Sequence, residues 1–120
     1  MNRILIAAVM AISATAVISH TALAQSDLGG TAWRSTNKGC DIDIDFRSDG
    51  TATVYAFMGV DEDTASWTLD GTVLHLKYDT WYGGVEGTMS DSIRINATVT
   101  WQSKSTQVVH NDPCILIKTN

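Results

Sequence analysis

The chain is poor in the residues that punctuate or specialise a fold. It has a single proline, Pro113, and only two cysteines, Cys40 and Cys114, among 120 residues. No low-complexity stretch, linker or internal repeat interrupts it, which argues against a flexible multi-domain chain. There is no Cys-x-x-Cys pair for thiol redox work, and two thiols with no histidine beside them make a poor metal site. None of the Gly-x-Ser-x-Gly, His-Glu-x-x-His or Cys–His arrangements that carry hydrolytic chemistry occurs. His75 and His110 stand alone, and nothing in the spacing of the thirteen acidic residues selects an acid–base pair. The residues therefore point to a binding protein rather than an enzyme, with no catalytic residue, metal or cofactor.

Long hydrophobic runs are missing as well, except at the start. One charge, Arg3, precedes an apolar run from Ile4 to Ile18, and small residues lead to Ala22-Leu23-Ala24 ahead of Gln25. This is the pattern of a secretory signal peptide over residues 1–24. The run is shorter than the roughly 20 residues a membrane span requires, and no cysteine follows it to take a lipid, so no stable membrane anchor is expected. The expected destination is the periplasm or the medium. Residues 25–120 then form one domain with seven basic and thirteen acidic residues, a net charge of −6. Such a surface disfavours nucleic acid and anionic lipid and suits a basic partner. In an oxidising compartment Cys40 and Cys114 are expected to pair.

What the sequence does have is alternation with a period of two. In Ile42-Asp43-Ile44-Asp45-Phe46 every second residue is apolar, and Leu74-His75-Leu76-Lys77-Tyr78 and Ile95-Asn96-Ala97-Thr98-Val99-Thr100-Trp101 repeat the pattern. Each run reads as a strand with one buried face. Asp49-Gly50, Asp70-Gly71 and Ser90-Asp91 between runs are turn signals. Eight strands are expected, near 31–35, 41–47, 51–58, 64–69, 72–79, 85–89, 92–101 and 114–119, with Pro113 just ahead of the last. Eight short antiparallel strands in sequence predict an all-β, up-and-down meander closed into a small barrel, with an open two-sheet sandwich as the competing arrangement. In a closed barrel the first strand lies between Cys40 and Cys114, so the disulfide requires that strand to stop short or the two cysteines to reach over its end.

Alternate connections of a meander emerge at opposite ends. The tight turns share one end. The other collects Asn37-Lys38-Gly39, Gly59-Val60-Asp61-Glu62-Asp63, Thr80-Trp81-Tyr82-Gly83-Gly84 and the stretch from Gln102 to Asp112. Loops on a rigid scaffold usually carry function, so the long-loop end is the candidate binding end. Asp61, Glu62 and Asp63, taken as loop residues, suit a basic surface but lack the spacing of a calcium loop. Trp81 and Tyr82 suit either an interface or a lid. Asp41, Asp43 and Asp45 read as a solvated outer face, and Trp33, Trp67 and Trp101 as core.

Gly30-Thr31-Ala32-Trp33, with Asp49-Gly50-Thr51 and Asp70-Gly71-Thr72 at the hairpins, resembles the lipocalin-like (calycin) barrels in its Gly-Trp first strand and its meander. That resemblance implies a barrel with one closed end. Small bacterial barrels that inhibit proteases or lysozyme, and periplasmic immunity proteins, resemble the chain comparably. Two functions are therefore expected. The first is capture of a protein partner, such as a hydrolase or toxin, through Asp61, Glu62, Asp63, Trp81 and Tyr82. The second is carriage of a small apolar ligand in a lumen lined by Ile44, Leu76, Ile95 and Val99, which requires a cavity of roughly 300 Å³ or more.

Overall fold

The computed structural model describes residues 28–120; the segment read as a signal peptide, 1–24, lies outside the described residues. Eight strands follow in order: β1 Ala32–Ser35, β2 Ile42–Phe46, β3 Thr51–Ala56, β4 Asp61–Asp70, β5 Val73–Tyr78, β6 Gly84–Asp91, β7 Arg94–Gln102 and β8 Val109–Lys118. Each pairs antiparallel with the next, and β8 returns to β1, so the sheet is a closed barrel and not a sandwich. Alternation decides the faces. Along β4, Asp63, Ala65, Trp67 and Leu69 are buried while Thr64, Ser66, Thr68 and Asp70 are exposed. Apolar residues turned inward and polar residues turned outward are the reverse of a membrane-spanning barrel.

One end is closed by packing. Trp67 donates its indole N–H to the carbonyls of Arg47 (3.1 Å) and Thr51 (2.9 Å), and Phe46 meets its ring edge-on at 5.3 Å. The Trp33 indole donates to Thr31 Oγ1 at 2.8 Å. The entering chain folds into the same end: Leu28 is fully buried, and Gly30 N–H donates to the Phe46 carbonyl at 2.7 Å. Burying Trp33 and Trp67 contributes on the order of 5 kcal/mol each before ordering entropy is subtracted.

At the other end β1 stops after four residues. Ser35, its last, pairs with Leu116, so the first half of β8 has β7 beside it and no strand on its other side. Two devices close that gap. The Asn37 side chain stands in for the missing strand, donating to the Pro113 carbonyl at 2.9 Å and accepting from Ile115 N–H at 2.9 Å. Beyond it the Cys40–Cys114 disulfide passes over the end of β1 with the Cα atoms 5.7 Å apart.

The structure corrects two boundaries. β4 begins at Asp61, three residues before the expected run, because the chain keeps pairing with β3 through Ala56–Asp61, Tyr55–Glu62 and Val54–Asp63. The acidic triplet is therefore strand and not loop; its charges concealed an ordinary backbone ladder. β8 begins at Val109, and Pro113 sits inside it opposite Thr98. Proline is tolerated there because its missing N–H would face the side on which β1 has already ended.

The disulfide closes a loop spanning 74 positions. Reduction, or the double substitution Cys40→Ser with Cys114→Ser, is expected to lower the unfolding free energy by about 4 kcal/mol. Urea titration of both forms measures this, and equal midpoints would contradict a constraining role for the bridge.

Candidate functional site

The long-loop end surrounds a cavity of about 880 Å³. Its floor is the inward face of the barrel at Ile42, Val99 and Tyr78, and Trp81 and Trp101 form aromatic walls. The β7–β8 hairpin rises past its neighbours as one side of the cup, since β7 pairs with β6 only as far as Thr100 and continues to Gln102. Trp101 is fixed on that arm. His110 stacks on its ring at 4.3 Å, and its indole N–H donates to Asp112 Oδ2 at 2.7 Å. Alternation along the sequence predicts Trp101 as a core residue. It lies on the inward phase of β7, but beyond the end of β6, where the barrel no longer covers it.

The opposite wall is held by Asp63. This carboxylate, 7 % exposed, accepts from Thr80 N–H (2.9 Å), Thr80 Oγ1 (2.8 Å) and Trp81 N–H (2.9 Å), and from Thr64 N–H at 3.0 Å. Burial pushes its pKa up, but the bonds from Trp81, Thr80 and Thr64 together outweigh burial and hold it below the ordinary carboxylate value. The loop so anchored turns back at Gly83, whose φ is +97° and where a Cβ would lie 2.1 Å from the Thr100 carbonyl oxygen, so no other residue fits. Trp81 then packs edge-on against Tyr78, with ring centroids 5.5 Å apart.

Tyr78 is 4 % exposed, and its hydroxyl makes no hydrogen bond to the described residues. Among those residues no fully buried side-chain oxygen lacks a partner, and Tyr78 is one of the residues that line the cavity. Burial raises the Tyr78 pKa well above that of a free phenol, and the negative charge of Asp63 adds to the shift. The phenol stays protonated.

The rim is apolar and strained. Phe57, Met58 and Val60 in the β3–β4 turn are 60 %, 92 % and 81 % exposed, and Tyr82 and Val108 on the neighbouring loops are also exposed. Phe57 and Met58 take φ values of +52° and +57°, a left-handed backbone that costs an L residue about 1–2 kcal/mol. Asp41 Oδ2 holds the turn by accepting from Met58 N–H at 2.8 Å.

The five residues predicted for partner binding thus separate. Asp61, Trp81 and Tyr82 reach the cavity. Glu62 points to the outer face opposite Tyr55, and Asp63 is an internal anchor for the loop. Sequence reasoning passed over Phe57, Tyr78, Asp112 and the placement of Trp101; only the inward phase of Tyr78 was visible in the alternation. Of the three aspartates read as an outer face, Asp43 meets Arg34 at 3.6 Å and Asp45 is exposed in β2, whereas Asp41, just ahead of the strand, lines the cavity.

Asp63 binds fewer protons in the folded state than in the unfolded one, so its stabilisation is present above pH 3.8, its ordinary value, and is lost as pH falls through its lowered folded value. Thermal melts between pH 7 and pH 2 should show wild-type stability dropping below about pH 4, with a shallower drop in Asp63→Asn. At pH 7, Asp63→Ala should cost about 2–3 kcal/mol, because it leaves the Thr80 and Trp81 amides without their acceptor. An unchanged melting temperature in the alanine variant would contradict the anchoring role.

No family model matches the chain, and no curated protein is similar to it, so function is to be read from the geometry and chemistry of this end of the barrel.

Proposed function

We propose that the chain is an exported, non-catalytic binding protein of lipocalin-like build that holds a small molecule in the cup at its open end. The observation that carries this reading is the cavity itself. At about 880 Å³ it lies well above the roughly 300 Å³ a carrier needs, and aromatic side chains line it. The deeper lumen is filled instead, since Ile44, Leu76 and Ile95 are buried in the packed core and only Val99 of the four expected lining residues reaches the cavity. The ligand therefore sits higher than the sequence suggested, between Trp81 and Trp101. Export to the periplasm or the medium agrees with the Cys40–Cys114 disulfide, which suits an oxidising compartment. The acidic composition makes nucleic acid an unsuitable partner.

Fluorescence titration with N-phenyl-1-naphthylamine, a neutral apolar probe, tests the cup. Saturable one-site enhancement is expected, weakened at least about tenfold in a Trp81→Ala, Trp101→Ala double variant, since each wall contact is worth on the order of 1 kcal/mol. Absence of saturable binding, or equal binding by the double variant, would sink the carrier reading.

A specific observation favours a second reading, capture of a protein partner by the same end. Phe57, Met58, Val60, Tyr82 and Val108 expose apolar surface around the mouth, as interface anchors do. In a pull-down from periplasmic extract with the oxidised mature protein, one saturable partner is expected on this reading, lost in Met58→Asp with Val60→Asp. Those rim substitutions leave probe binding in the cup intact, which separates the two functions.

A further inference from the structure

The chemistry of the cup is more specific than that of an apolar hole. Three carboxylates, Asp41, Asp61 and Asp112, line it, and Lys104 at the hairpin tip is the one cationic residue among its described lining. Among the described residues the ion pairs are Arg34–Asp43 and His75–Glu86, both on the outer face, so none of the three is neutralised by a side-chain cation. Behind the Trp81 wall the buried Asp63 carboxylate is satisfied by amide and hydroxyl donors alone. Among the described residues no side-chain cation pairs with it, and its negative charge adds to the burial that raises the Tyr78 pKa. Tyr78, 4 % exposed, lines the same space, and its hydroxyl makes no hydrogen bond to the described residues. Aromatic faces attract cations through their quadrupoles, most strongly when the pair is shielded from water. Carboxylates, aromatic walls and the Tyr78 hydroxyl line one cavity.

We infer that the cup selects a small organic cation, a primary ammonium carried on a flat apolar body, with the body between Trp81 and Trp101 and the ammonium directed to the Tyr78 hydroxyl and the Asp61 carboxylate. This inference rests on the carrier reading and narrows it. The ammonium N–H donates to the Tyr78 oxygen, which keeps its own proton. The acidic mouth repels anions of the same shape, and it raises the local concentration of cations.

Isothermal titration with three matched naphthalenes tests the selection: 2-(2-naphthyl)ethylammonium, neutral 2-ethylnaphthalene and 3-(2-naphthyl)propionate. The cation is expected to bind at least about tenfold more tightly than the neutral compound, the factor that about 1.4 kcal/mol provides, and the anion more weakly than either. Added salt should weaken only the cation and relieve only the anion. Tyr78→Phe and Asp61→Asn should each reduce cation affinity several-fold while leaving the neutral compound unchanged, with thermal melts showing that both variants fold. Equal affinity for all three compounds would overturn charge selection and leave the cup standing. Binding by none of them would overturn the cup as well.

Discussion

β1 has four residues and β8, which it meets at the seam of the barrel, has ten. Most of what distinguishes the open end follows from that mismatch. A short first strand leaves the early part of β8 with a bare edge, and a bare edge exposes backbone groups that must be paired or covered. Asn37 supplies one donor and one acceptor in place of the missing strand, and the disulfide ties the loop to β8 just beyond it. Pro113 sits on the same unpaired stretch, where its lack of an N–H costs nothing. Held by these contacts, β8 runs on with β7 as a hairpin above the barrel mouth and carries Trp101, His110 and Asp112 to the side of the cup.

The two halves of the barrel use aromatic residues differently. In the closed half Trp33, Phe46 and Trp67 fill the lumen, and the Trp33 and Trp67 indole N–H groups find oxygens of nearby turns. In the open half Tyr78, Trp81 and Trp101 stand around a space instead of filling it. They keep their positions through polar contacts: Asp63 on the Trp81 backbone, Asp112 on the Trp101 indole. A core packed by apolar contact alone would have closed over such a space. The buried Asp63 carboxylate on the Trp81 loop and the half-buried Asp112 on the Trp101 indole let the aromatic rings stay apart, and they add negative charge to this end.

The alternation of β2, β5 and β7 made the barrel legible from sequence, because a buried face imposes a period of two and little else in the chain competes with it. Asp-Gly turns marked the closed end for the same local reason. The open end was harder to read. Three consecutive acidic residues at Asp61-Glu62-Asp63 have the composition of a loop, yet backbone pairing with β3 continues through all three. Asp63 faces inward on the correct phase, but only the fold reveals that the loop after Tyr78 returns to place two amides and a hydroxyl on it. Likewise Trp101 had the phase of a core residue, and its position became clear only from where β6 ends. Charge at the mouth comes from strand ends and turns brought together by closure, and no spacing along the chain encodes it.

The central claim is that ligand enters the open half and leaves the packed half untouched. The four indole N–H groups of Trp33, Trp67, Trp81 and Trp101 divide evenly between those halves. Titrating 2-(2-naphthyl)ethylammonium into ¹⁵N-labelled protein and following the four indole resonances reports on each half directly. The account predicts that the Trp81 and Trp101 signals move together to saturation while those of Trp33 and Trp67 stay in place. Shifts confined to Trp33 and Trp67, or no shift in any of the four, would contradict it.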